Sequence, residues 1–123
     1  MNLLIDTHIL LWWLGFPGKL SGKIKSAIED TKNTVFISSA ALWEIAIKKN
    51  LGKLKIPGNL KDILSENDII PLSITADHIY ALENLPDIHN DPFDRIQIAQ
   101  CIHERLVFVT EDGLIRKYGI EIF

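Results

Sequence analysis

The sequence predicts an α/β fold in which helices cover both faces of a central parallel sheet. Two observations lead to this prediction: short apolar runs suited to buried strands alternate with segments suited to helices, and helix-capping residues lie between them. Strands connected through helices pair in parallel, so we expect a three-layer α/β/α sandwich with four to five strands. A chain of 123 residues is long enough for one domain, residues 1–123, with a core of its own.

The first half of the chain is predicted to hold two strands, each followed by helical segments. Strands are expected over residues 3–5 and 34–37, and helices over residues 7–14, 21–29 and 40–49. Leu3-Leu4-Ile5 is apolar throughout, which suits a strand covered on both sides. Thr7 and Ser21 are suitable helix caps, and Pro17-Gly18 separates the two helices that they begin.

The second half of the chain continues the same alternation. Strands are expected over residues 69–72, 106–109 and 120–122, and helices over residues 60–65, 75–84, 92–105 and 112–117. The clearest helix start is Asp91-Pro92-Phe93-Asp94, in which Asp91 suits the N-cap, Pro92 the first helical position and Asp94 the third.

Four carboxylates occur near the predicted strand ends and helix starts: Asp6, Glu44, Asp94 and Asp112. Asp6 ends the first strand, Glu44 lies in the first turns after the second, and Asp112 follows the strand that ends at Val109. Asp94 begins a helix that runs antiparallel to its following strand, so this helix start lies at the same sheet edge. Because ligands of open α/β sheets bind at the carboxyl edge, we expect the four acids to converge there.

Converging carboxylates require a counter-charge. Two unit charges about 4 Å apart repel by roughly 4 kcal/mol at an effective dielectric constant of about 20, and divalent cations offset this repulsion. Oxygen ligands suit Mg²⁺ or Mn²⁺, whereas zinc prefers His and Cys. A carboxylate pocket of this kind suits phosphodiester hydrolysis, because a metal ion activates water and stabilises charge on the phosphate.

Each acid also has an ordinary structural explanation. Asp94 suits a helix N-terminus through the macrodipole, and Glu44 can pair with Lys48 one turn later. Asp112 suits a turn, and Asp6 suits a cap. Four separate explanations at one edge require more coincidence than one shared site, so a metal site is the prediction.

Composition indicates what the protein surface can bind and in which cellular compartment the protein is expected. The net charge of −3 argues against general electrostatic binding to nucleic acid, so contact with a polyanion is expected to be local. The single cysteine, Cys101, cannot form an internal disulfide, which suits a reducing cytoplasm. Asp6 and His8 interrupt the apolar N-terminal stretch, which is too short to span a membrane, so no membrane association is expected.

Four motifs together resemble those of PIN-domain proteins of the VapC type, which are toxins of type II toxin-antitoxin pairs. In chain order they are Ile5-Asp6-Thr7-His8 with Leu11-Trp12-Trp13, Ser38 through Trp43-Glu44-Ile45-Ala46 and Lys48, His89-Asn90-Asp91-Pro92-Phe93-Asp94-Arg95, and Thr110-Glu111-Asp112. The resemblance covers essentially the whole chain. It implies an α/β/α sandwich, Mg²⁺- or Mn²⁺-dependent endoribonuclease activity on RNA, a homodimer and a cognate VapB-type antitoxin.

The resemblance also implies roles for individual residues. The three acids of the family are matched by Asp6, Glu44 and Asp94, and its more variable fourth acid is matched by Asp112; these are the expected catalytic and metal-binding residues. Small hydroxyl groups that support the acids or the attacking water are expected at Thr7, Ser38 and Thr110.

Other side chains keep two interpretations. Lys48, which begins a group of four lysines with Lys49, Lys53 and Lys55, is a candidate RNA contact or part of a solvated helix end. Arg95 is a candidate RNA contact or the partner of a neighbouring acid. The tryptophans suit base stacking or a partner groove, but apolar helices more often place such residues in the core: Trp12, Trp13 and Trp43. His8 and His89 are expected to make structural hydrogen bonds near the acids.

Two other functions compete with a nuclease. A phosphoryl-accepting domain using Asp6 needs a lysine at the end of a late strand, but Val109 is followed by Thr110-Glu111-Asp112. The alternative that stays open is a catalytically inactive PIN-like module that binds nucleic acid or a protein partner.

Overall fold

The computed structural model describes residues 1–123. The strands are β1 (Asn2–Ile5), β2 (Thr34–Ser38), β3 (Ile69–Leu72) and β4 (Val107–Val109). The helices are α1 (Thr7–Gly15), α2 (Gly22–Glu29), α3 (Ser39–Asn50), α4 (Leu60–Glu66), α5 (Ala76–Ala81) and α6 (Pro92–Glu104). Short 3₁₀ helices cover Pro17–Lys19, Leu82–Asn84 and Gly113–Tyr118. The predicted alternation of strands and helices, and with it the α/β class, is confirmed.

All four strands form one parallel sheet in the order β3-β2-β1-β4. The chain adds β2 and β3 on one side of β1 and then returns to place β4 on the other side. Because parallel crossovers are right-handed, this reversal places α5 and α6 on the opposite face from α1 to α4. The carboxyl end of β1 is therefore the topological switch point, where ligands of open α/β sheets bind.

Buried apolar side chains cover both faces of the sheet. On one face, Leu3 and Ile5 pack with residues of α1 to α4 in a cluster of 16 buried residues. On the other face, Leu4 packs with Phe108 and with Ile98 of α6 in a cluster of 6. Successive strand residues point to opposite faces, so a strand covered on both sides must be apolar throughout. The predicted three-layer sandwich is confirmed.

Two local predictions are wrong. The N-cap of α1 is Asp6 and not Thr7, because the Asp6 carboxylate accepts the bond from the Ile9 N–H and leaves Thr7 as the first helical residue. The predicted strand over residues 120–122 is reduced to a single parallel bridge between Phe108 and Ile122. After the left-handed Gly119 the chain bonds to β4 only at Phe108, whose N–H donates to the Glu121 carbonyl at 2.9 Å and whose carbonyl accepts from the Phe123 N–H at 3.0 Å, so no ladder forms. The sheet proper has four strands, the lower end of the expected range.

The lengths of the helices show whether any of them could cross a membrane. The longest helix, α6, has 13 residues, and none of the helices is both long and apolar enough to cross a bilayer.

Candidate metal centre

Three polar residues lie side by side where the central strands end. Ile5 of β1 pairs in register with Ile37 of β2 and with Val109 of β4. The residues that follow these three in the sequence are Asp6, Ser38 and Thr110, and all three are buried. The apolar strands thus carry three oxygen-bearing side chains to the switch point of the sheet.

Asp6 is held at both carboxylate oxygens. Its Oδ1 accepts a hydrogen bond of 2.8 Å from the Ile9 N–H, and its Oδ2 accepts one from the Thr110 hydroxyl. The side chain of Asp6 is thus the cap of α1 and also lies within electrostatic range of another predicted acid, Asp112. Burial raises the pKa of Asp6 above its ordinary value, although both hydrogen bonds and His8 act in the opposite direction. The charge of Asp112 raises it further.

Asp94 reaches the same edge from α6. Asp91 caps this helix through a 2.8 Å bond from the Phe93 N–H to Asp91 Oδ1, and Pro92 occupies the first turn, as predicted. Burial raises the pKa of Asp94 to about 6, and the charges of Asp91, Glu44 and Asp6 contribute in the same direction, whereas His89 lowers it. The four predicted acids therefore lie in one electrostatic group, because Asp94 senses Glu44 and Asp6, and Asp6 senses Asp112.

Glu44 lies on α3 and is only 13% exposed in its side chain. Its Oε2 lies 3.0 Å from Lys48 Nζ, so the expected pairing one turn along the helix is present. The same carboxylate raises the pKa of Asp94, which places it within electrostatic range of the other acids. The ion pair with Lys48 therefore does not prevent the charge of Glu44 from acting on Asp94.

Asp112 stands on the turn after β4. Its Oδ1 caps the last 3₁₀ helix through the Leu114 N–H at 3.0 Å, and its own N–H donates to Thr110 Oγ1 at 3.0 Å. Its Oδ2 lies 3.0 Å from Nε2 of His89, and Nδ1 of the same ring lies 4.0 Å from Asp94 Oδ2. The sequence predicts that His89 lies near the acids, but it does not predict that His89 lies between two of them. The one indication in the sequence is that His89 comes two residues before Asp91, the N-cap of α6.

The three hydroxyls that the sequence predicts as supports for the acids have different environments. Thr110 Oγ1 joins Asp6 to the Asp112 backbone, and Ser38 Oγ caps α3 through the Ala40 N–H at 3.0 Å. Thr7 Oγ1 is buried without a hydrogen-bond partner, next to Asp6 in the chain. An orphaned buried hydroxyl beside carboxylates with raised pKa values fits a centre that is completed by a cation and its water. The donors are oxygen atoms, which are the ligands that Mg²⁺ and Mn²⁺ prefer.

Other predicted contacts are distributed around this group. Arg95 donates from Nη1 to the backbone oxygens of Pro86 and His89 and lies 3.7 Å from Asp87, so it holds the loop before α6. Lys48 and Glu44 line an open trough of about 550 Å³ that continues along the start of α6.

The tryptophans divide between the core and the surface. Trp12 and Trp13 pack against the larger core cluster, as expected. Trp43 is 62% exposed and meets Phe93 edge to face, with ring centroids 5.3 Å apart, so its predicted core position is wrong. The side chain lies on the outer face of α3, where the pattern of neighbouring apolar residues does not reveal exposure.

Solved structures share this architecture. The chain is similar to a structure described as VapBC2 from Rickettsia felis bound to a DNA fragment from their promoter, with a TM-score of 0.70 and 16% identity over 99% of this chain and 96% of that one. It is also similar to a toxin-antitoxin complex from Klebsiella pneumoniae, with a TM-score of 0.60 and 19% identity over 89% and 86% of the two chains.

A further similar structure is FitAcB from Neisseria gonorrhoeae, with a TM-score of 0.62 and 15% identity over 98% of this chain and 96% of that one. Likeness at these identities establishes a shared fold. A comparison with curated proteins gave no significant match. The model of the PIN domain family matches residues 3–121, almost the whole sequence. The chain therefore belongs to the PIN domain family.

Proposed function

We propose that this protein, over residues 1–123, is a metal-dependent endoribonuclease that acts as the VapC-type toxin of a toxin-antitoxin pair. The observation that carries the proposal is the group of carboxylates at the switch point, in which burial and neighbouring acids raise the pKa values of Asp6 and Asp94. An arrangement that disfavours its own charges is characteristic of a functional site. Family membership supports nuclease chemistry for such a group.

The proposed metal ligands are Asp6, Asp94 and Asp112, with Glu44 binding directly or through water. A bound Mg²⁺ or Mn²⁺ supplies a water nucleophile near neutral pH and stabilises the charge that develops on the phosphate. Thr110 orients the carboxylate of Asp6 and fixes the turn of Asp112. Thr7 and Ser38 are proposed to support the acids or the attacking water.

The trough beside Glu44 is the proposed path of the RNA strand. Lys48, which lines it and is 38% exposed, is the proposed phosphate contact. Arg95 is a weaker candidate, because its guanidinium already binds two loop carbonyls and its side chain is only 18% exposed. We assign Arg95 mainly to the shape of the loop that carries His89.

The proposed partners are a VapB-type antitoxin and a second copy of this chain, and the proposed compartment is the cytoplasm. The antitoxin is supported by the similar structures, which are described as VapBC2 and as a toxin-antitoxin complex. The homodimer follows from the resemblance of the motifs to VapC-type proteins.

The test is to sequence RNA ends after incubating RNA with the purified protein and Mg²⁺ or Mn²⁺. Attack by water predicts 5′-phosphate and 3′-hydroxyl ends that are absent with Asp6→Asn. Asn retains the helix cap at this position, so the variant is expected to stay folded. Asp62→Asn, in the first turn of the remote helix α4, is the matched control and is expected to cleave as the wild type does.

Two results would contradict the proposal. Ends carrying 2′,3′-cyclic phosphates would exclude attack by a metal-activated water. Failure of the wild type to bind Mg²⁺ or Mn²⁺ in a calorimetric titration would instead support an inactive module that binds nucleic acid or a protein partner.

A further inference from the structure

His89 occupies an unusual place in the acid group. Its side chain is 11% exposed, with Nε2 3.0 Å from Asp112 Oδ2 and Nδ1 4.0 Å from Asp94 Oδ2. One ligand atom from each of these three residues lies within 4.8 Å of the other two. A nitrogen donor thus stands among oxygen donors at the proposed metal site.

The ring is fixed by contacts outside the acid group. The His89 N–H donates to the Tyr118 hydroxyl at 2.7 Å, and the two rings stack with an interplanar angle of 2°. The His89 carbonyl accepts a bond from Arg95 Nη1 at 3.3 Å. Side chains that must meet a metal ion are commonly held in this way by a surrounding shell of bonds.

The direction of the His89 imidazole distinguishes a hydrogen bond to Asp112 from a metal ion that both side chains bind. Although Nε2 is buried and only 3.0 Å from the Asp112 carboxylate, it makes no hydrogen bond, so the carboxylate lies off the axis of the ring nitrogen. Two neighbouring ligands of an octahedral ion, each about 2.1 Å from it, are about 3.0 Å apart, and each points at the ion rather than at the other. The separation and the misalignment of His89 and Asp112 both suit a shared ion.

We propose that His89 binds the divalent ion of this centre through Nε2, in one ligand set with Asp94 and Asp112. The proposal deepens the proposed function and rests on the metal site that it assigns. A nitrogen ligand favours Mn²⁺ over Mg²⁺, because imidazole suits transition metals whereas Mg²⁺ prefers oxygen. His89 is therefore a determinant of which cofactor the protein selects.

Pulsed electron paramagnetic resonance of Mn²⁺ bound to the full chain tests this assignment directly. A directly bound imidazole gives a ¹⁴N coupling to the Mn²⁺ signal. We expect this coupling in the wild type, its loss in His89→Gln and its retention in His8→Gln. The His8 variant is the matched control, because His8 is the other histidine whose charge is felt at an acid of the group.

Calorimetry supplies a second readout. His89→Gln is expected to weaken Mn²⁺ binding by at least about tenfold and to weaken Mg²⁺ binding less, so that the preference between the two ions narrows. A wild-type Mn²⁺ complex without ¹⁴N coupling would overturn the proposal, and so would a coupling that persists in His89→Gln. Because the wild-type measurement needs no variant, misfolding of His89→Gln cannot rescue the proposal.

The nuclease assay distinguishes failure of the His89 assignment from failure of the proposed nuclease function. RNA cleavage without ¹⁴N coupling would support the proposed nuclease function and would show that His89 is not a metal ligand. A ¹⁴N coupling in a protein that does not cleave RNA would support His89 as a ligand and contradict the nuclease.

Discussion

Asp94 is subject to two opposing electrostatic effects: one from the helix that it begins and one from the neighbouring acids. It is the third residue of α6, where the macrodipole favours a carboxylate, and it is also partly buried among other acids. If the macrodipole dominates, loss of its charge destabilises the protein. If the acid group dominates, loss of its charge stabilises the protein when no metal ion is bound.

We expect Asp94→Asn to abolish RNA cleavage and to stabilise the metal-free protein near pH 7. The gain should be on the order of 1 kcal/mol, a value reduced for solvent screening because a third of the side chain is exposed. Urea unfolding measures the change. Asp62→Asn is the control, because Asp62 also occupies the third position of its helix and is not one of the charges that shift the pKa of Asp94. If both variants lose stability alike, the acid-group explanation of Asp94 is wrong.

Individual helix starts were predictable because their signals are local. The Asp91-Pro92 start of α6 and the Ser21 cap of α2 are present where the sequence predicts them. For α1 the sequence predicts a cap one residue too late, because Asp6 and Thr7 are both good capping residues and only the end of the strand selects between them.

Convergence of the acids followed from topology, whereas contacts between loops did not. A parallel sheet puts Asp6, Asp94 and Asp112 at its carboxyl edge, and the pairing of β1 with β4 brings them close together there. The position of His89 depends on the path of the loop before α6, which Arg95 and Tyr118 fix through distant contacts. Such contacts leave no periodic pattern in the sequence, so the nitrogen donor was missed.

The junction of α5 and α6 is held by a buried histidine. His78 is fully buried, its Nδ1 accepts a 3.0 Å bond from the Thr75 N–H, and its Nε2 lies 2.9 Å from Glu104 Oε1. Because Nδ1 is an acceptor, the neutral ring carries its hydrogen on Nε2 and donates it to Glu104. This nitrogen therefore faces the carboxylate as a donor, which makes the nearby group with His103 a structural contact rather than a metal site.

We expect His78→Ala to destabilise the protein by about 2 to 4 kcal/mol, because it leaves a cavity and an unpaired Thr75 N–H. Glu104→Gln, which keeps a hydrogen-bond acceptor at the exposed end of the contact, should cost less than about 1 kcal/mol. Urea unfolding compares the two. Folded His78→Ala should bind Mn²⁺ as the wild type does; weaker binding would mean that this junction contributes to the metal centre.

At the scale of the whole molecule, one reversal of the chain produces both the fold and the acid group. The strand order β3-β2-β1-β4 leaves the carboxyl end of β1 between connections that lie on opposite faces. Asp6 occupies that position and is influenced by the charge of Asp112, on the turn after β4. Asp94, on α6, is influenced in turn by the charges of Asp6 and of Glu44, on α3. The apolar layers on both sides keep water from the strand ends, so burial is the main cause of the raised pKa values.

The stability of the whole protein should therefore depend on pH and metal together. Because the pKa values of Asp6 and Asp94 are raised in the folded chain, both acids bind protons more tightly there than in the unfolded chain. For Asp94, unfolding therefore releases a proton between about pH 4 and pH 6. The contribution of these groups to stability is present below pH 4 and is lost as pH rises through the folded-state pKa, which for Asp94 is about 6.

We expect the melting temperature of metal-free wild type to fall more between about pH 4 and pH 7 than that of Asp94→Asn. Taking the difference between the two proteins removes the effect of ion pairs such as Glu44 with Lys48, whose stability changes with pH in both. Millimolar Mn²⁺ or Mg²⁺ at pH 7 should restore the wild type, because an ion that binds only the folded state stabilises it by about 2.7 kcal/mol at one hundred times its Kd. Parallel pH profiles of the two proteins, or a melting temperature that neither ion changes, would exclude a metal centre formed by these acids.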